Sequence, residues 1–236
     1  MVDTHLPYFV ESQELFKLCK TMAVIDHHRK MVGHIDNAVI FYHEPYASSA
    51  SEMVSELLQY FDGHIRISRM DAEALLSGIM LDTRNFAMRT GVRTFEAAAY
   101  LRRLGADTVE VKKLFSNSMG AYQKKMQIVS SARVYQNCAI AESQLCDDIK
   151  VVAPQAADEL LGITGVDASF VMYEYDGGVS FSARSLETSV QVIMEKLGGG
   201  GHFTMAGAQL ENTDLEHAEL LLRQAIREYN EEKTAK

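Results

Sequence analysis

The sequence predicts an α/β protein in two parts, a parallel-sheet domain followed by a smaller α+β domain. Three observations carry this. Short β-rich apolar runs alternate with segments of helical period through the first half. From ARVYQNCAIAE onward the pattern changes to alternating strands with hairpin signals. The 236 residues are 47% apolar and 23% charged, which is ordinary globular usage and excludes a disordered or low-complexity chain.

Taken in order, Val2 followed by the polar Asp3 reads as the end of a strand. Phe9, Leu15, Phe16 and Leu18 mark roughly one helical face, and TMAVI is a short buried strand that ends at Asp26. NAVIFYHE repeats the strand signal. SASEMVSELLQYF then opens on serines suited to an N-cap and places Met53, Leu57, Leu58 and Phe61 at helical spacing. Three further helices are predicted, over DAEALLSGIMLD, over TFEAAAYLRRL with Gly105 as its stop, and over a long stretch from about Asp107 to Ser130.

In the second half, SFVMYEYDGGVSFSARS reads as a hairpin around Asp176, Gly177 and Gly178. A helical SVQVIMEKL, the glycine run ending in His202, a short strand AGAQL and a charged last helix follow. The expected boundaries are 1–115 for the first domain, 116–130 for a connecting helix and 131–236 for the second domain.

Charge and composition exclude several functions. Lys and Arg number 23 against 32 Asp and Glu, a net charge of -9, so a large nucleic-acid footprint is not expected. No window approaches about 18 uninterrupted apolar residues and no signal-peptide layout opens the chain, which predicts no membrane contact and a cytoplasmic setting. Cys19, Cys138 and Cys146 are odd in number and widely spaced, which predicts reduced, partly buried thiols and no structural zinc.

The sharpest local feature is VIDHHRK. Asp26, His27 and His28 follow a short strand, and open α/β sheets place their ligands beyond the carboxyl ends of strands. Adjacent histidines point in different directions. One imidazole can ligate a metal while its neighbour reaches an anionic substrate, with Asp26 as the acceptor that fixes a ring. The pair is also compatible with a plain surface loop. Asp3 and Asp82 each end an apolar run, where an aspartate serves as a helix cap, as a turn residue or as a ligand. Two carboxylates and an imidazole suit a divalent ion such as Mn²⁺ and not a soft thiolate site. Arg29 and Lys30 add local positive charge.

The second feature is KLGGGGHFTMAGAQL. Gly198 to Gly201 remove every Cβ over about 13 Å of extended chain, so a second backbone or a phosphate can approach the main-chain N–H groups. Lying between an apolar helix and an apolar strand, the run reads less as a linker than as an anion-binding or tight-packing loop, with His202 at its mouth. Arg184 and Ser185 follow VSFSA and could offer a guanidinium and a hydroxyl to a phosphate.

IDHH after a strand, VDT upstream, GIMLDTRNF downstream and GGGGH further on, in that order, resemble the DHH phosphoesterase superfamily with its DHH-associated C-terminal domain. EPYASSASEMVSELLQYF and RTGVRTFEAAAYLRRLGAD are most similar to the cyclic-di-AMP phosphodiesterases of the GdpP type. The resemblance implies two Mn²⁺ ions in the first domain and a second domain that closes over the substrate. On that basis Asp3 bridges the ions, His27 and Asp82 are ligands, His28 faces the scissile phosphate, and Gly199, Gly200, Gly201 and His202 hold the rest of a cyclic or short linear dinucleotide. The implied reaction opens 3′,5′-cyclic di-AMP to linear pApA.

The family's opening H-x-x-x-D-x-D motif has no counterpart here. The resemblance therefore implies that one ion loses most of its ligands while the other keeps Asp3, His27 and Asp82, with impaired activity and an uncovered sheet edge. It further implies a homodimer and a longer, membrane-anchored parent with this region in the cytoplasm. Two other readings stay open: an oligoribonuclease or 3′-phosphoadenosine 5′-phosphate phosphatase, and a nucleotide-binding or dimerisation module without catalysis.

Overall fold

The computed structural model describes residues 1–61, 65–144, 148–175 and 177–234, and it divides into two compact units, Met1–Ser116 and Asn117–Lys236.

In the first unit, β1 (Ala23–Asp26) pairs in parallel with β2 (Ile40–His43), in a register that sets Asp26 opposite His43. Val2 forms a parallel bridge to Ile25, so the opening residues run beside β1 as a third strand position. The Ile25 N–H donates to the Met1 carbonyl, and the Asp3 N–H donates to the Ile25 carbonyl. Val24 and Met22 are buried with Ile35 against this small sheet. The helices are α1 (Gln13–Leu18), α2 (Ala50–Leu58), α3 (Arg69–Asp82), α4 (Val92–Arg103) and α5 (Thr108–Leu114). Ser49 and Ser68 accept main-chain N–H bonds at the starts of α2 and α3, and Asp71 completes a capping box at the second. Leu76, Ile79, Ala97, Leu101 and Val111 join α3, α4 and α5 in one apolar cluster. Gly78 lets α3 lie against α2 closely enough that a Cβ there would stand 2.1 Å from the Ser51 hydroxyl oxygen.

The second unit is built on a six-stranded sheet in the order β3-β4-β5-β6-β8-β7. Its strands are β3 (Arg133–Tyr135), β4 (Cys138–Ser143), β5 (Ala168–Tyr175), β6 (Gly178–Ser185), β7 (Gly200–His202) and β8 (Met205–Glu211). Its helices are α6 (Met119–Ser130), α7 (Ile149–Leu160), α8 (Val190–Glu195) and α9 (Leu215–Thr234). Strand periodicity builds two cores. Cys138, Ile140, Phe170 and Met172 face Ile193, Leu222 and Ile226 on one side. Ala139, Ala141, Val171 and Tyr173 face Ile128, Val152 and Leu160 on the other. β4 and β5 are parallel, joined across α7; the other neighbours are antiparallel.

Four local expectations change. The helix expected from Asp107 to Ser130 is two, α5 and α6, because Ser118 adopts an extended conformation and caps α6 by accepting from the Ala121 N–H. Helix α7 is not among the predicted elements, and it carries Pro154 in its interior. It holds because Ile149, Val152, Ala153, Ala156, Ala157 and Leu160 are all buried. Residues 200–202 of the glycine run form a strand rather than a loop. Cys19 is exposed and only Cys138 is buried, while Cys146, like hairpin residue Asp176, lies outside the described residues. Among the described residues, no helix is long and apolar enough to cross a membrane.

Candidate metal centre

Because the opening strand and β1 are parallel, their carboxyl ends fall at the same edge of the sheet. Asp3 leaves that edge with φ of 66°, a left-handed conformation uncommon for a side chain other than glycine. The strain is held by its main-chain bond to Ile25. His27 and His28 follow β1 directly. Asp82 arrives from elsewhere in the unit as the last residue of α3. The next turn is rigid: buried Thr83 donates its hydroxyl to the Ile79 carbonyl at 2.7 Å and accepts from the Phe86 N–H at 3.0 Å. Arg84, Asn85 and Phe86 then run through three consecutive left-handed conformations.

These segments bring four side chains together. His27 Nε2 lies 3.4 Å from Asp3 Oδ1 and 3.7 Å from Asp82 Oδ2. His28 Nδ1 lies 3.9 Å from the same Asp3 oxygen. Asp3, His27 and His28 each offer a ligand atom, all within 4.8 Å of one another. Ligands about 2.1 Å from one ion stand about 3–3.5 Å apart, so the His27–Asp3 spacing suits two donors around a cation, and the longer two lie beyond direct hydrogen bonds. His27 is buried, and its Nδ1 faces the Ala47 carbonyl at 3.3 Å; that bond puts the proton on Nδ1 and leaves the Nε2 lone pair for the cluster. Burial pushes the Asp82 carboxyl above its ordinary pKa, and Asp3 adds to the shift. A carboxylate at the negative end of a helix dipole gains from a cation beside it. The donor set of two carboxylates and imidazole thus fits a divalent ion.

Behind the cluster, Asp26 is completely buried. Its Oδ1 accepts from the His28 main-chain N–H at 3.2 Å and from His28 Nδ1 at 2.8 Å, and its Oδ2 is bound to His5 Nδ1. Burial alone would raise its pKa, but the bonds from His28 and His5 outweigh burial and hold the carboxyl well below the usual range. The same bond raises the His28 pKa against the opposing effect of burial.

Lys30 lies over the Phe41 ring at 4.9 Å, and so is occupied by a cation–π contact.

In the second unit, close packing accounts for two of the glycines. A Cβ on Gly199 would stand 2.1 Å from the Gly207 carbonyl oxygen, and one on Gly201 would stand 2.5 Å from Ala206 Cα. Gly198 caps α8 with φ of 75°. Gly200 has open space where a Cβ would be and, unlike Gly198, no positive φ, and His202 is exposed two residues on. Ser185, expected near a phosphate, is fully buried, and its hydroxyl donates to the Thr188 carbonyl at the turn into α8. Arg184 is mostly buried, with Nε 3.4 Å from Asp158 Oδ1 and Nη1 donating to the Ala183 carbonyl.

Two residues of the first site were missed in the sequence. His5 is buried and bonded to Asp26; His43 donates from Nε2 to the His28 carbonyl. A signal for His43 was present, since AVID and IFYH aligned as parallel neighbours set Asp26 and His43 at one level. His5 left no such trace, because its role depends on burial.

Comparison with known proteins gives the family. Residues 1–79 match the DHH family, N-terminal domain, and residues 146–232 match the DHHA1 domain. The chain is 46% identical over 237 residues to the cyclic-di-AMP phosphodiesterase GdpP of Geobacillus thermodenitrificans, covering 98% of this chain and 36% of that protein. It is 43% identical over 233 residues to the cyclic-di-AMP phosphodiesterase PdeA of Listeria monocytogenes, covering 97% of this chain and 36% of that protein. The chain thus spans about a third of the length of these relatives. Among solved structures, an exopolyphosphatase-related protein from Bacteroides fragilis matches with a TM-score of 0.83 at 23% identity, covering 97% of this chain and 70% of that one, a likeness of fold. With a DHH domain followed by a DHHA1 domain, the chain belongs to the DHH family.

Proposed function

We propose that this chain is the catalytic region of a Mn²⁺-dependent phosphodiesterase that opens 3′,5′-cyclic di-AMP to linear 5′-pApA. The observation that carries the reading is the convergence of Asp3, His27 and Asp82, with His28 beside them, at one edge of a parallel sheet. The names of the two relatives favour the cyclic dinucleotide as substrate.

Asp3, His27 and Asp82 would hold a divalent ion, with Mn²⁺ matching a set of two hard oxygens and one imidazole. Such an ion, when bound, polarises a phosphodiester and acidifies water. His28 keeps Nδ1 on Asp26 and leaves Nε2 for the substrate side of a half-exposed ring. Its raised pKa favours a proton there, to be shared with a phosphate oxygen as negative charge develops. Water adds to phosphorus, the bond to the 3′ oxygen breaks, and that oxygen leaves as a hydroxyl. In the second unit, Gly200, Gly201 and His202 would take the remainder of the dinucleotide.

The test is Mn²⁺-dependent turnover of cyclic di-AMP, with pApA and 3′-phosphoadenosine 5′-phosphate as parallel substrates, resolved by chromatography. It is run on this chain and on one extended upstream to the length of the relatives. Formation of pApA by either, lost in Asp82→Asn, supports the reading; no cleavage of cyclic di-AMP by either overturns it.

A further inference from the structure

We propose that His5 is a positioning residue that fixes which oxygen of Asp26, and therefore which nitrogen of His28, is left for chemistry. The inference rests on the reading of His28 as the group that faces the substrate phosphate. His5 is 2% exposed, and both of its ring nitrogens are engaged. Nε2 lies 3.0 Å from the Met31 main-chain N–H, which can only donate, so Nε2 must be the acceptor. The proton therefore sits on Nδ1 and is given to Asp26 Oδ2. With both nitrogens occupied, His5 is not itself a ligand.

The consequence lies in how the carboxylate is divided. Oδ2 is taken by His5, so only Oδ1 remains for His28, and it accepts from both the main-chain N–H and Nδ1 of that residue. Without His5, a buried oxygen would lose its donor and the carboxylate would be free to turn about its terminal torsion, releasing the His28 ring. The His5 ring also joins three segments that each carry part of the site. It lies two residues after Asp3, bonds to the end of β1, and holds the main chain at Met31 beyond the two histidines. Its main-chain carbonyl accepts from the Ile35 N–H at 2.9 Å, anchoring the same loop further on.

Two substitutions separate these links by stereochemistry. In His5→Asn the amide nitrogen falls near the place of Nδ1, so the donor to Asp26 is kept and the Met31 bond is lost. In His5→Gln the side chain reaches the place of Nε2, so the Met31 bond is kept and the donor to Asp26 is lost. The experiment reads side-chain tautomers in the metal-free protein by long-range ¹H–¹⁵N spectra, and Mn²⁺ affinity of the same proteins by calorimetry. At a pH where both rings are neutral, the parent is expected to show His5 and His28 both as Nδ1–H. His5→Asn should keep the His28 signature and bind Mn²⁺ much as the parent does, whereas His5→Gln should lose the signature and bind roughly tenfold more weakly.

A parent whose His5 carries its proton on Nε2 overturns the proposal, and so does an unchanged His28 signature in a folded His5→Gln. If His5→Gln fails to fold, the parent spectrum and His5→Asn still decide. If the parent binds no Mn²⁺, the proposed function loses its metal, and the tautomers alone support or overturn the role of His5.

Discussion

Asp26 and His28 are bonded twice, by the His28 main-chain N–H at 3.2 Å and by its Nδ1 at 2.8 Å, both to the same carboxylate oxygen. The pair is a local Asx-like turn whose side chain has been turned to a second use. It ends a buried strand, reverses the chain and orients an imidazole in one step. The other oxygen, held by His5, makes the carboxylate a fully partnered buried charge.

Substitution of Asp26 by alanine should therefore destabilise the first unit by about 3 kcal/mol or more, because two histidines lose a buried anionic partner at once. Asp26→Asn keeps one acceptor and should lose less. Urea unfolding of the metal-free protein followed by far-ultraviolet dichroism gives both values, and equal stability of Asp26→Ala and the parent would contradict the role assigned to the carboxylate.

The glycine run separates packing from ligand contact. Gly199→Ala and Gly201→Ala each force a Cβ into main-chain atoms of β8, and Gly201 also holds φ of 148°, so each should cost about 2 kcal/mol or more. Gly200→Ala meets no atom within 4 Å and should leave the melting temperature close to that of the parent. If Gly200→Ala weakens pApA binding in calorimetry while the fold stays intact, the contact belongs to the ligand. If all three variants melt alike, packing is not what the glycines supply.

Much of this architecture was legible because it rests on local pattern. Met53 and Leu76 lie on helices whose period and serine caps are written in the sequence, and Val24 and Phe170 lie in runs too apolar to be loops. The cluster was legible as well, since Asp3, Asp26 to His28 and Asp82 all stand where an apolar run stops. What the sequence concealed was tertiary. Helix α7 tolerates Pro154 because a buried face on both sides of it outweighs the lost hydrogen bond. Ser185 looked like a phosphate contact because nothing in VSFSARS says that its hydroxyl turns inward to Thr188. His5 became visible only when the fold bonded its two ring nitrogens to Asp26 and Met31.

The neighbourhood of Asp82 gives opposite signs with and without an ion. Burial and the nearby Asp3 carboxylate disfavour its charge, so Asp82→Asn should leave the metal-free protein as stable as the parent or slightly more so. The parent should gain about 2.7 kcal/mol when free Mn²⁺ reaches a hundred times its dissociation constant, and the variant should lose most of that gain. Thermal melts with Mn²⁺ and with chelator provide the comparison. A variant that melts lower in chelator yet keeps the full Mn²⁺ shift would mean that Asp82 is a structural residue and not a ligand.

Cys138 and Cys19 should differ sharply in reactivity, and the difference carries a pH dependence of stability. Cys138 is buried against Ile140 and Phe170, and burial pushes its thiol up to about 12, with Asp167 adding to the shift. The thiolate is the reactive form, so iodoacetamide at pH 8 should modify exposed Cys19 and spare Cys138 until denaturant is added, in a Cys146→Ala background. The raised value also sets a sign. Below the ordinary thiol pKa of about 9 both folded and unfolded chains hold the proton, and the contribution of the buried thiol to stability is fully present. As pH rises from there toward 12, the unfolded chain ionises first and that contribution is lost. Cys138→Ala should therefore start less stable than the parent at pH 7 and flatten the decline above pH 9; a parallel decline in both proteins would assign the pH dependence to other groups.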